Sequence, residues 1–75
     1  MARLLAKNII FEYLEEFDDL YGKGCAHCTV SLHHAIPAIS MRTIQRVIKE
    51  LIKEDKITIN HVLSKNNINY YEVVY

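Results

Sequence analysis

The sequence predicts a small α+β domain: three helices, room for a short strand between the first two, and a C-terminal β-hairpin. Three observations carry that expectation. Apolar residues recur at helical spacing over residues 3–20 and again over 41–54. After Asp55-Lys56 the spacing switches to the two-residue alternation of strands. Asn66-Asn67 then separates two β-rich runs, and asparagine tolerates the positive φ that a two-residue hairpin turn demands.

In the first helix, about 3–20, Ile9, Ile10, Tyr13, Leu14, Phe17 and Leu20 share one face. Leu4 and Phe11 lie off it, beside Asn8 and Glu15. They read either as ordinary exposed apolar surface or as a contact patch for self-association. A homodimer joined through Leu4 and Phe11 is therefore one expectation, because a chain of 75 residues buries only about 60% of its surface and gains from pairing. Tyr21-Gly22-Lys23-Gly24 ends the helix. Cys25 to Val30 is apolar enough for a brief edge strand. Ser31 is the expected N-cap of a second helix, about 31–36. Pro37 biases Ile36 away from helical angles and stops it. Ser40 then caps the third helix, about 41–54. Two helices joined by a turn of about four residues form a helix-turn-helix pattern.

The third helix is the most informative stretch. At roughly 100° per residue, Ile44, Val47, Ile48 and Leu51 fall on one side. Arg42, Gln45, Arg46, Lys49 and Lys53 fall within about 100° of one another on the other. No acid interrupts the centre of that basic stripe, whereas ordinary surface helices mix signs for i,i+4 pairing. A helix held by its apolar side while offering cations and an amide outward suits a DNA groove. The hairpin over 57–75 has Ile57 and Ile59 in one arm and Tyr70, Tyr71, Val73, Val74 and Tyr75 in the other. A turn at Asn66-Asn67 pairs Ile59 with Val74, His61 with Glu72 and Leu63 with Tyr70.

Formal net charge is zero, with nine acidic and nine basic residues. Their distribution matters more than their sum. Glu12, Glu15, Glu16, Asp18 and Asp19 crowd the first helix, while four basic residues share one face of the third, so the chain reads as a charge dipole. The apolar runs are too short to span a bilayer, and the N-terminus lacks the pattern of a signal peptide, so the expected compartment is the cytoplasm.

The order of elements, the stretch Ser40-Met41-Arg42-Thr43-Ile44-Gln45-Arg46-Val47 and the exit from Leu51 to Ile57 resemble the winged helix-turn-helix family of DNA-binding domains. The resemblance covers nearly the whole chain. Asp55-Lys56 stands where such domains often carry a glycine. The Ile-, Lys-, Asn- and Tyr-rich composition and small size resemble regulators of archaeal viruses and plasmids, for which the compartment is the host cytoplasm. The resemblance implies a recognition helix in the major groove of double-stranded DNA and a hairpin wing on the backbone or minor groove. It assigns Arg42, Thr43, Gln45, Arg46, Lys49 and Lys53 to DNA contact, and Lys65, Asn66, Asn67 and Asn69 to the wing tip. Arg42, Gln45 and Arg46 are expected to read bases, with Lys49 and Lys53 on phosphates.

Cys25 and Cys28, followed by His33 and His34, have spacing that zinc can use. A disulfide, within the pair or between subunits, and two free thiols are the other readings. No constellation of catalytic residues or phosphate-cradling glycine loop is present, so no enzyme, cofactor or small-molecule substrate is expected. The sequence thus points to a sequence-specific, homodimeric transcriptional regulator. The alternative is a winged-helix protein-interaction module, or an adaptor stabilised by zinc or disulfide.

Overall fold

The fold comprises α1 (Ala2–Tyr21), α2 (Thr29–Ala35), α3 (Met41–Lys53), β1 (Ile57–Ile59) and β2 (Tyr71–Val73). It is a computed structural model that describes residues 2–75, with side chains from Leu5 onward. The result is an α+β arrangement of three helices and a C-terminal two-stranded antiparallel hairpin. Among the described residues, no helix is long and apolar enough to cross a membrane.

α3 is the central element. Its apolar stripe, Ile44, Val47, Ile48 and Leu51, is at most 2% exposed. Burying each such side chain contributes about 1.5–3 kcal/mol as an upper estimate, so this one face fixes the helix and leaves its opposite face outward. α1 contributes Ala6, Ile10 and Leu14 to the same core, α2 contributes Leu32, and the strands contribute Ile57 and Val73. α1 and α2 both pack on α3, β1 packs beside it, and β2 closes against α1.

Helix ends follow local chemistry. Ser40 caps α3: its hydroxyl oxygen accepts from the Thr43 amide at 3.3 Å. At the other end, Asp55 adopts φ 60°, Lys56 N donates to Leu51 O and Asp55 N to Ile52 O. That is a Schellman motif with aspartate in the left-handed position that glycine usually fills. Gly22, at φ 100°, ends α1. Ile36 leaves the helical region ahead of Pro37, at φ −129° and ψ 68°.

Several expectations are corrected. α2 starts at Thr29 with Cys28 in the N-cap position, so Ser31 lies inside the helix instead of capping it. Phe11 is half-buried against the core, with the Lys56 ammonium 5.5 Å from its ring, and so does not form an open patch on α1. The Leu4 side chain lies outside the described residues. Leu20 is 77% exposed because the last turn of α1 runs beyond the core. Asp18 is 2% exposed and so does not belong to the solvated acidic surface of α1.

The hairpin register also differs. Ile57 pairs with Val73, Thr58 with Glu72 and Ile59 with Tyr71, not Ile59 with Val74 or His61 with Glu72. Lys65 bridges Ile68 across Asn66-Asn67, whose φ angles of 52° and 66° form the expected two-residue turn. Five residues separate Ile59 from Lys65 but two separate Ile68 from Tyr71, so the first arm has three too many. His61, Val62 and Leu63 absorb the excess as a turn built by Asn60. Its side-chain oxygen accepts from the amides of Val62 and Leu63, and its side-chain amide donates to Glu72. Ser64 completes the turn, donating its hydroxyl to Asn60 O and accepting from Tyr70 N. Leu63 therefore does not pair with Tyr70 and is 49% exposed.

The segment between α1 and α2 does join the hairpin, as one bridge instead of a strand. His27 and Tyr71 exchange both backbone hydrogen bonds at 2.8 Å.

Candidate nucleic-acid interface

Because α3 is pinned by its apolar face, the side chains that project outward are determined. Arg42, Gln45, Arg46, Lys49 and Lys53 are all exposed. The described ion pairs, Lys7–Glu54 and Lys56–Glu54, engage none of these four cations. The Lys7 pair, with help from Lys56, holds the Glu54 carboxyl below its usual range. The acid nearest the stripe's C-terminal end is thus already committed to cations outside it. Thirteen residues give α3 a length of about 20 Å, and four of its exposed side chains are cationic.

The hairpin brings its tip up beside this helix. The outer face of α3, the first turn of α2 and the second hairpin arm enclose a cleft of about 540 Å³. Gln45 and Lys49 line it from the helix, and Asn67, Asn69 and Tyr70 from the hairpin. Two parts of the expected site, separated by some twenty residues in sequence, thus share one surface depression. Lys65 and Asn66 are exposed at the hairpin tip, outside the cleft lining. Arg42, Arg46 and Lys53 flank it along α3.

Thr43 stands apart. It is half-buried, its hydroxyl accepts from Ser40 at 3.0 Å, and it lines a separate, mostly apolar groove of about 350 Å³ with Leu5, Ile9 and Ile39. Its hydroxyl belongs to the cap, on the flank of α3 that faces α1.

Cys25 and Cys28 are half-buried free thiols, and Cys25 Sγ donates to Gly22 O at 3.1 Å. His33 Nδ1 lies 2.9 Å from Ile39 O, which ties α2 to the turn before α3, and His34 is exposed. Among the described residues, no three His, Cys, Asp or Glu side chains converge as a metal-binding group.

A buried polar cluster behind the interface is absent from the sequence reading. Asp18 Oδ2 accepts from the Tyr75 hydroxyl at 2.7 Å, while Asp18 Oδ1 is buried with no hydrogen-bond partner. His27 is 4% exposed, packs edge-on against Phe17 and Tyr13, and leaves Nε2 unpartnered. Burial lowers the His27 pKa from its ordinary value, opposed by the Asp18 charge. The hydrogen bond to Asp18, then desolvation and the surrounding carboxylates, push the Tyr75 phenol up to about 12. Lys23 sits 4.6 Å above the Tyr75 ring. The cluster therefore ties the end of α1, the bridge at His27 and the chain's last residue together. A signal for Asp18 existed in the sequence: Ile10, Leu14 and Asp18 recur at four-residue spacing, which puts the carboxylate in line with the apolar stripe.

No family model, curated protein or solved structure matches this chain.

Proposed function

We propose that this chain is a sequence-specific, duplex-DNA-binding transcriptional regulator of the winged helix-turn-helix type. α3 enters the major groove, and the hairpin acts as a wing on the adjacent backbone or minor groove. One observation carries the reading: five exposed polar side chains on α3, four of them cationic, face outward beside the hairpin tip, on a helix whose other face is fully buried. Within that stripe Arg42, Gln45 and Arg46 lie toward the N-terminal part of α3 and read bases, whereas Lys49 and Lys53 neutralise phosphates. The bridge from His27 to Tyr71 supports the same architecture by adding a third backbone segment to the hairpin.

The active form is a homodimer. A chain of 75 residues buries only about 60% of the surface its unfolded form exposes and gains stability from pairing. Two-fold pairing sets two copies of α3 on half-sites about 34 Å apart.

Fluorescence anisotropy with duplexes from the chain's own upstream region tests this. Arg46→Ala relaxes base preference, while Lys53→Ala weakens all duplexes evenly and flattens the salt dependence by about 0.9 in slope. Absence of duplex binding at low salt rejects the proposal. A second reading, a protein-interaction module, is favoured by one feature: the hairpin holds Val62, Leu63 and Ile68 exposed to solvent.

A further inference from the structure

We propose that the cleft between α3 and the hairpin binds a small, flat organic anion of the aromatic-carboxylate class, and that the bound anion competes with DNA. The binding site stands on the cleft's own chemistry; the competition rests on the DNA reading above.

The cleft's size, about 540 Å³, falls within the range of small-molecule sites. Its chemistry is asymmetric. Ile48, Ile52 and Ile68 supply an apolar wall and Tyr70 an aromatic one. Among the described residues, Lys49 is the only charged one that lines it, and no carboxylate does. Arg46 and Lys53, three residues before and four after Lys49, are its neighbours on the helix surface and raise the local positive potential. Side-chain amides from Gln45 and Asn69 complete the polar edge. An inorganic anion satisfies Lys49 but leaves the apolar wall in water. An apolar neutral molecule covers the wall but gains nothing from Lys49. A planar apolar body bearing one anionic group answers both, by burial along the wall and by charge pairing at the edge.

Occupancy has a direct consequence for the proposed interface. Gln45 and Lys49 belong both to the DNA-facing stripe and to the cleft lining. A ligand seated there neutralises Lys49 and stands between α3 and the hairpin tip. Duplex and ligand then exclude each other, which makes the cleft a site of control over DNA binding.

The test uses the full chain labelled with ¹⁵N and titrated with naphthoate, with the uncharged naphthamide as control. Saturable amide shifts at Gln45, Lys49, Asn69 and Tyr70 are expected. Lys49→Gln, a surface change whose fold is checked by its melting curve, weakens naphthoate about tenfold and leaves naphthamide unaffected. Shifts that are absent at millimolar naphthoate, that map to the Leu5–Ile9 groove, or that are indifferent to Lys49→Gln overturn the site. With naphthoate at about ten times its dissociation constant, the apparent duplex Kd rises about elevenfold. An unchanged duplex Kd at an occupied site overturns the competition. If the free protein binds no duplex while the cleft shifts persist, the DNA reading and the competition fall together and the anion site stands.

Discussion

Asp18→Asn is expected to destabilise this protein, because it replaces a charge-assisted hydrogen bond with a neutral one and leaves buried amide donors without a partner. The carboxylate is 2% exposed, receives one hydrogen bond from the Tyr75 hydroxyl, and leaves Oδ1 without a partner. Asparagine keeps the shape and the acceptor for Tyr75, but the bond is no longer charge-assisted, and the side-chain NH2 takes the place of Oδ1, where no hydrogen-bond partner lies. A buried polar group left unsatisfied costs about 1–3 kcal/mol, and a loss of that order is expected. Unfolding entropy of about 2.1 cal/mol/K per residue over 75 residues is about 160 cal/mol/K, so each kcal/mol moves Tm by about 6 °C. The variant's Tm at pH ~8 therefore falls by about 6–18 °C in calorimetry. A second observable separates charge removal from general repacking. His27 has a folded pKa below its ordinary value of 6.5, so the unfolded chain binds more protons in acid. Its contribution is fully present above 6.5 and is lost as pH falls through the depressed folded value, with a slope of at most about 1.4 kcal/mol per pH unit. The Asp18 charge opposes that depression, so in the asparagine variant the acid loss is larger and the deficit in Tm grows below pH ~6. A higher Tm at pH ~8, or a deficit that does not change with pH, refutes this description of Asp18 and its charge beside His27.

Other outcomes follow from the same structure. Asn60→Ala removes three side-chain hydrogen bonds from the hairpin and should lower stability by about 1–2 kcal/mol, with amide exchange accelerated at Val62 and Leu63 and not in α3. Asp55→Gly relieves a left-handed aspartate at the end of α3 and should stabilise by about 1 kcal/mol; a destabilised variant would mean the Asp55 side chain has a role the cap does not explain. In an ultraviolet titration the Tyr75 phenol should ionise near 12, and Tyr75→Phe should abolish that phase.

Much of the architecture was legible in the sequence because it depends on local patterns. Four apolar side chains at i, i+3, i+4 and i+7 defined the buried face of α3, and the outward stripe followed from it by geometry. Ser40, Pro37 and Asn66-Asn67 act within a few residues of themselves, so cap, helix stop and turn were readable. The hairpin register was not, because alternation allows more than one pairing. The choice was made by Asn60, whose side chain stabilises a three-residue excursion more than a continuous ladder at His61–Leu63. Phe11 was misplaced and the burial of Asp18 went unread because the faces of a twenty-residue helix depend on what packs on it. α1 meets α3 along one line and β2 along another, so its buried arc is wider than one stripe. The cleft joins residues distant in sequence and had no local signature.

The most direct test of the central claim is an amide chemical-shift map of the ¹⁵N-labelled protein on titration with duplex from its upstream region at low salt. The account requires shifts concentrated at Arg42, Gln45, Arg46 and Lys49 on α3 and at Lys65–Asn67 on the hairpin tip. Shifts centred instead on the acidic side of α1, or no shifts at all, would contradict it.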